Sequence, residues 1–580
     1  MPIYTQLPDA LASLPTLATE PLLGIDLETS GLSPWNDQIA VITLFGQRSE
    51  TTSVFHVRGS VPQVLKDFLS QPRLLVGHNV TTFDALFLAN AGVDIMAPTW
   101  FDTLIAEQVL ITTSRSDVRK NLQASIKRRL GRELDKSINH GGWMSPQLSG
   151  TQLEYVVGDV KYLPKLMEQQ LKDAEEKGLT KAIEFEMSLT KPVMAIQLTG
   201  LPVDLPVLRE WRSQAIHSSL DAGIQLQERL GPINLASPIQ ITKALSRLGV
   251  GWESTSRESL QAIIAEGGRG PEAHIAELLL EFRYGQKRAS MYSESWIRQF
   301  IHTRDGVPFL HARLSQVGTD TGRFSSSEPN IQQLPKVGAK GRPYIGGREG
   351  YSIISVDYAG IEAVVAAALA KDRAYLSLLK DGDLHKNVAS QVFQVPVESV
   401  SPEQRQLAKA MSFTLLFGGG AGRLLSYATN NGAKLTLDEA TALKDRFFAR
   451  YPGLLTMRRN AYTLANDSTP VTIELPTGLR RVIVGQKLVG TTLLNTKVQG
   501  TAAAGMKYAI LEAWKRGLIS PGKGIGATVH DELVACVPHD MVEEFALEIK
   551  ECMLHGMKQI PAMADAPVKC GTSIASYWSK

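Results

Sequence analysis

The sequence predicts an α/β domain over residues 1–180 followed by a larger α+β region over residues 181–580. Three observations carry this. Short apolar runs alternate with helical periodicity up to about residue 175. Long helical segments then dominate to residue 302. Beyond a polar, Gly- and Ser-rich stretch at 317–349, strands at 352–357 and 525–537 stand apart with helices between them.

At 580 residues the chain exceeds what one hydrophobic core holds together, so three or four domains or lobes are expected. With 43% hydrophobic, 21% charged and 7% aromatic residues, neither a disordered chain nor a fibre is indicated. The net charge of +3 announces no polyanionic partner, but such a partner is met by a local basic groove rather than by average charge. Three cysteines, Cys536, Cys552 and Cys570, form no close pair. They exclude a disulfide framework and a Cys-based zinc site and fit a reducing compartment. The first twenty residues lack a basic segment followed by a continuous apolar run, and no run of about 18 apolar residues occurs anywhere, so neither a secretory signal nor a transmembrane helix is expected.

In chain order, Leu22–Ile25 reads as a strand, Ser30-Gly31 breaks it, and Ile39–Ile42 resumes. Leu74–Val76 is a further strand, followed by a helix from Thr81. Helices are predicted over 186–199, 206–230, 238–247 and 256–302, with Asn234 to Pro238 supplying a helix start. The boundary near 180 is a change of texture, placed to within about ten residues.

The first chemical signal is acidic. Asp26 and Glu28 end the first apolar run, and residues i and i+2 of a strand share a face. Asp84 follows another strand, in Asn79-Val80-Thr81-Thr82-Phe83-Asp84. Thr151 to Glu154 reads as a capping box opening a helix, on which Tyr155 and Asp159 lie four apart on one face. Four acids and a tyrosine suit phosphodiester hydrolysis by two divalent ions, although Asp26-x-Glu28 alone reads equally as a solvated strand end. The second signal is a helix opening at Ser401-Pro402-Glu403-Gln404, a capping box with Pro at the first helical position. Arg405, Lys409, Phe413 and Phe417 follow at intervals of four. Two cations and two rings suit a nucleotide's phosphates and base; alone, the helix reads as a basic end running into a buried aromatic end. Acidic strand ends stand on either side, at Asp357 and Asp531.

Taken together, Asp-x-Glu, Asn-x-x-x-Phe-Asp and Tyr-x-x-x-Asp over residues 20–170 resemble the DEDDy exonucleases, a ribonuclease H-like fold. The stretch Leu130 to Lys136, with Trp143 and Leu148, is similar to the same family. The resemblance implies that Asp26, Glu28, Asp84 and Asp159 hold metal, that Tyr155 orients the attacking water, and that Asp102 is structural or one shell removed. Residues 319–335 (TDTGRFSSSEPNIQQLP), Asp357 to Glu362, Arg405 to Gly418, Asn495 to Ala503 and His530-Asp531-Glu532 resemble, in order, the signature motifs of family A DNA polymerases. That family implies a right-hand fold: thumb about 186–315, palm about 316–385 and 485–580, fingers about 386–484.

By this resemblance Asp357, Asp531 and the Tyr358 carbonyl hold two Mg²⁺ ions, two also serve the nuclease site, and Mn²⁺ is able to substitute. Arg405, Lys409 and His385 take the triphosphate, with Lys409 the general acid for pyrophosphate. Phe413 and Phe417 stack on the nucleotide, and Glu362 excludes a ribose 2′-OH. Arg323, Asn495, Gln499 and His530 touch primer–template DNA. In the thumb Arg283, Lys287 and Arg288 contact the backbone, or else form a solvated helix face.

The chain departs from the family pattern at Ala359 and Gly360 in place of Ser and Gln, at Phe417 in place of Tyr, and at Ala504 in place of Asp. Loss of the ring hydroxyl implies somewhat weaker ribonucleotide exclusion, and Phe413 implies discrimination against dideoxynucleotides. With no room upstream of residue 20 for a 5′-nuclease domain, the expectation is a Klenow-like, phage-type enzyme or a bacterial one. It is expected to act in DNA replication as a monomer, in the cytoplasm of a bacterial or phage-infected cell, on primer–template DNA and dNTPs, with an unidentified replisome or processivity factor as a partner and no membrane. The competing readings are a nuclease whose second half is a DNA clamp, and a single-subunit RNA polymerase; Glu362 and Thr321-Gly322-Arg323 favour DNA synthesis.

Overall fold

The computed structural model describes residues 2–579 except 114–117, 135–140, 268–269, 337–340, 381, 431–434 and 468. Asp135 and Lys136 of the nuclease-like stretch therefore lie outside the described residues. The N-terminal sheet has six strands. At its centre is Leu22–Thr29, antiparallel to Ile39–Gly46 on one side and parallel to Leu74–Gly77 on the other. Thr51–His56 continues the antiparallel side, and Thr99–Asp102 the parallel side. Ile39–Gly46 is buried along its whole length, which explains why it reads as a nearly continuous apolar run rather than an alternation.

Helix Gly150–Lys161 crosses this sheet so closely that a Cβ on Gly24 would stand 2.9 Å from the Val160 carbonyl. Glycine at 24 is what lets the helix bring Tyr155 and Asp159 over the strand that carries Asp26 and Glu28. The capping box expected at Thr151 and Glu154 is displaced. Ser149 caps the helix, accepting from the Gln152 N–H at 3.2 Å while Gln152 Oε1 accepts from the Ser149 N–H at 2.8 Å. Ser149 has the extended backbone that a cap needs, whereas Thr151 is already helical. The helix expected from Thr81 begins at Asp84, because Asn79 takes a positive φ of 67° and the chain turns before it winds.

Two further helical expectations are corrected. The segment 186–199 is split into Thr180–Ser188 and Thr190–Thr199. The segment 256–302 is three helices, Arg257–Gly267, Pro271–Met291 and Glu294–Phe300, and then a strand, Ile301–Arg304. Pro271 occupies a helix's first turn and Ser293 caps the next one, accepting from the Trp296 N–H at 3.2 Å. Leu205–Leu230 and Pro271–Met291 pack together as a long helical hairpin. A Cβ on Gly285 would lie 2.5 Å from the Ala215 carbonyl, so this glycine sets their approach.

The C-terminal sheet has five antiparallel strands, with Tyr351–Tyr358 between Glu532–Pro538 and Cys570–Ala575. Lys523–Val529 pairs with the outer side of Glu532–Pro538. Helices Gly490–Lys515 and Val542–Lys558 pack on each other across one face, and the helical block from Ile361 to Asn466 shares their core. The two halves are packed together. The hairpin Val471–Ile483 buries Ile473, Leu475, Leu479 and Ile483 in one cluster with Phe101, Ile105 and Leu166 of the N-terminal domain. Glu186 and Lys507 form a buried ion pair of 2.5 Å, with Gln316 donating to the other Glu186 oxygen at 2.9 Å. No helix among the described residues is long and apolar enough to cross a membrane.

Candidate active sites

In the N-terminal domain, one ligand oxygen each from Asp26, Glu28 and Asp159 lie within 4.8 Å of one another. The strand supplies the first two from one face and the helix supplies the third. Asp84 is not part of this tightest group but borders it: its Oδ1 accepts from the Leu27 N–H, between the two strand acids, at 3.0 Å. Burial, and then the nearby charge of Asp102, push the Asp84 carboxyl up to about 7. The Tyr155 phenol is pushed well up, first by burial and then by Asp159, Glu28 and Asp26, so its hydroxyl stays protonated above the acids. Trp143 packs on its ring with centroids 5.9 Å apart. Three oxygen donors with a fourth beside them are the donor set of a hard divalent cation. Asp102 faces away as a backbone organiser, accepting from Asn79 and Leu104 at 2.9 Å and from Thr81 at 3.0 Å.

In the C-terminal region the two acids far apart in sequence become neighbours. Asp357 sits one residue from the end of strand Tyr351–Tyr358, in register with Glu532, and the Tyr358 N–H donates to the Asp531 carbonyl at 3.1 Å. Asp531 stands at the tip of the adjoining hairpin, where His530 takes a positive φ of 56°. Burial, and then the Asp357 charge, raise the Asp531 carboxyl. Glu532 belongs to the core instead: its Oε1 accepts from Ser355 Oγ and, at 2.7 Å, from Trp578 Nε1. The Tyr358 side chain is likewise buried, donating to the Met553 carbonyl at 2.6 Å, so its backbone is what it can offer the site.

Opposite these acids a cleft of about 380 Å³ is lined by Arg323, Glu362, His385, Phe413, Phe417, His530 and Asp531. Helix Pro402–Leu415 starts with the capping box expected at Ser401 and Gln404. It ends earlier than its four-residue spacing suggests. Phe417 lies beyond the helix, in a turn where Gly418 takes a φ of 81° and Gly419 N–H donates to the Thr414 carbonyl at 2.8 Å. Phe413 is 48% exposed, stacked near Tyr427 with centroids 6.3 Å apart, and open to a flat ligand. Arg405 is engaged with Asp383, whose Oδ2 accepts from its Nε at 2.8 Å and pairs with its Nη2 at 2.7 Å. Burial raises the Asp383 carboxyl, but the Arg405 bond and the backbone N–H groups of Lys386 and His385 outweigh it and hold it low. Burial, and then Arg405 and Lys409 against the opposing charge of Asp383, lower the His385 pKa, and its Nδ1 is buried with no partner among the described residues.

Asn495 and Gln499 share a face of helix Gly490–Lys515, and Asn495 Oδ1 is buried with no partner among the described residues. Arg323 Nη2 donates to Glu362 Oε1 at 2.6 Å. Burial and the Arg323 charge lower the His530 pKa, placing that imidazole beside them. The basic face of the helical hairpin is narrower than expected. Arg283 turns inward, its guanidinium donating to the Thr255 carbonyl and, at 2.9 Å, to Thr255 Oγ1. Arg288 lies over the rings of Tyr284 and Trp211, at 3.8 and 4.8 Å. The Arg283 guanidinium is thus hydrogen-bonded within the protein and that of Arg288 stacks on rings, and only Lys287 of the three is exposed. Sequence reasoning missed the roles of Asp383 and Tyr427. Asp383 had a signal, an acid immediately before a helix whose N–H groups it caps; Tyr427 had none.

The sequence model of DNA polymerase family A matches residues 208–580, well over half of the chain. The chain belongs to the family A DNA polymerases. A 3′-5′ exonuclease model matches residues 4–174. DNA polymerase I of Aquifex aeolicus is 27% identical, over 97% of both chains. That of Pseudomonas aeruginosa is 28% identical over 98% of this chain, which spans 64% of the longer enzyme. The thermostable DNA polymerase I of Thermus aquaticus is 31% identical over 66% of this chain and 46% of its own length. These relatives are bacterial. Among solved structures, the polymerase domain of Pol1 from M. smegmatis, in complex with DNA primer-template and dNTP, shares the fold at a TM-score of 0.81 over the whole chain, with 21% identity.

Proposed function

We propose that the chain is a template-directed DNA polymerase that adds dNTPs to a primer 3′-OH and proofreads with its N-terminal 3′→5′ exonuclease. The carrying observation is the convergence of Asp357, on its strand, with Asp531, at the tip of the hairpin paired with that strand, where Asp531 lines a cleft shared with His385, Phe413 and Phe417. Asp357, Asp531 and the Tyr358 carbonyl would hold divalent ions, Mg²⁺ with Mn²⁺ as a substitute; Asp26, Glu28, Asp84 and Asp159 would hold the nuclease pair. When bound, such ions supply Lewis acidity for the attacking oxygen and charge neutralisation for the leaving group.

The chain's own residues do the rest. Arg405, released from Asp383, joins Lys409 and His385 in binding the triphosphate, and Lys409 gives a proton to the departing pyrophosphate. Phe413 and Phe417 present ring faces to the nucleotide, and Glu362 occupies the space a 2′-OH would need. Asn495, Gln499, His530 and Arg323 line the path of the primer–template, with Lys287 contacting its backbone. In the nuclease site Tyr155, protonated and beside the acids, orients the attacking water.

The test is extension of a labelled primer on a DNA template with Mg²⁺, using wild type and Asp531→Ala, with and without dNTPs. Template-coded extension that disappears in the variant, with primer shortening retained when dNTPs are withheld, supports both assignments. A wild type that only shortens primer would make the C-terminal region a DNA clamp serving the nuclease.

A further inference from the structure

We propose that Arg323 is a positioning residue that fixes the Glu362 carboxylate in place and thereby sets the preference for deoxynucleotides over ribonucleotides. The inference rests on the polymerase reading above. Glu362 projects from the first turn of helix Ile361–Leu369 into the cleft shared with Phe417 and Asp531. A carboxylate that rejects a hydroxyl by occupying its space must be held. Left to itself, a glutamate moves among staggered rotamers at little cost, and exclusion by a mobile group is weak. A donor on the ring at position 417 could hold it, but Phe417 has none.

The donor comes from elsewhere. Arg323 Nη2 reaches Glu362 Oε1 at 2.6 Å, with the two side chains 28% and 30% exposed. Arg323 is itself fixed at the backbone: Gly322 turns the chain at a φ of 75°, and Thr319 Oγ1 donates to the Arg323 carbonyl at 3.2 Å. A charge-assisted bond from a rigid guanidinium is both stronger and more directional than one from a phenol. One N–H spent on Glu362 leaves four of about five for other acceptors, so this use is compatible with a place beside the primer end. Phe417 therefore removes a redundant support.

The test compares kcat/KM for a dNTP and the matching rNTP on one primer–template, using the full chain. Arg323→Ala is expected to lower the dNTP/rNTP ratio about tenfold or more, the usual weight of a hydrogen bond to a charged group. Adding Phe417→Tyr to Arg323→Ala should recover most of that ratio, because a hydroxyl then replaces the lost donor. Phe417→Tyr alone should raise the ratio by less than about threefold, since the carboxylate is already held. Arg323→Lys, which keeps the charge without the planar fork, should fall between. An Arg323→Ala enzyme that slows with both nucleotides equally, leaving the ratio unchanged, overturns the proposal and leaves Arg323 as a primer contact. So does a tenfold gain from Phe417→Tyr alone, which remains readable even if Arg323→Ala extends nothing. A wild type that inserts neither nucleotide sinks the polymerase reading itself, and that result is visible before any variant is made.

Discussion

The nuclease and polymerase sites both gather carboxylates, by different routes. In the nuclease site a single strand presents Asp26 and Glu28, one helix adds Asp159, and Asp84 is tied to the strand's backbone. Burial, with Asp102 nearby, raises the pKa of Asp84 beside the three clustered acids. In the polymerase site, Asp357 and Asp531 meet only because two strands far apart in sequence pair in register. The acids there are interleaved with cations: Arg323 on Glu362, and Arg405 on Asp383. A site that only hydrolyses needs ligands for metal. A site that must also bind a polyanionic triphosphate and release pyrophosphate needs positive charge, and the resting structure keeps that charge occupied with carboxylates a phosphate can displace.

If the two sites are chemically independent, Asp531→Ala should abolish extension by about a thousandfold or more while leaving primer shortening within about twofold. Asp26→Ala should do the reverse. Loss of both activities from either variant, measured on the same preparation, would break the comparison. Independence in chemistry does not mean independence in stability. Lys507, in the helix carrying Asn495 and Gln499, is 1% exposed and paired with fully buried Glu186, in the helix Thr180–Ser188 that follows the N-terminal domain. Lys507→Met leaves that carboxylate without its cation and should cost about 3–5 kcal/mol, and Glu186→Gln added to it should recover part of the loss. Denaturant midpoints followed through nuclease and polymerase activity should fall together.

The nuclease site also makes a smaller, pH-dependent prediction. Asp84 titrates at about 7 when folded and near the ordinary carboxylate value when unfolded, so between those values the folded state binds more protons. Without divalent ions, the contribution of Asp84 to stability should therefore be greatest below about pH 4, decline as pH rises to about 7, and level off, by an amount on the order of a few kcal/mol. Asp84→Asn should flatten this profile in chelator, and thermal unfolding at pH 5 and pH 8 reads the difference. An equal slope in both proteins would mean that other groups carry it.

How legible each region was follows from the same contrast. Asp26, Glu28, Tyr155 and Asp159 could be placed face by face, because strand and helix periodicities are local rules. The meeting of Asp357 with Asp531 is a matter of strand pairing, which no spacing encodes; only the resemblance of the surrounding motifs suggested it. Charge pairing was the least legible. Nothing in the order of residues says that Arg405 rests on Asp383, that Arg283 turns in to Thr255, or that Arg323 reaches Glu362, since each partner is supplied by a separate segment. The end of the helix before Phe417 was hidden for another reason. The four-residue stripe continued past it, and the Gly418-Gly419 pair that stops the winding stood one residue further on.

The smallest expected effect concerns Gly360, where this chain departs from its family. It caps helix Ile361–Leu369 with a φ of 60° and a ψ of 35°, in the left-handed region, and a Cβ built there meets nothing within 4 Å. The departure therefore relieves backbone strain rather than a steric clash. Gly360→Ala should lower stability by about 1 kcal/mol, the cost of a left-handed non-glycine residue, while primer extension changes little. Asn, which tolerates this conformation better, should cost less than Ala. If Ala and Asn proved equally harmless to stability but slowed extension, the position would be acting through the primer terminus.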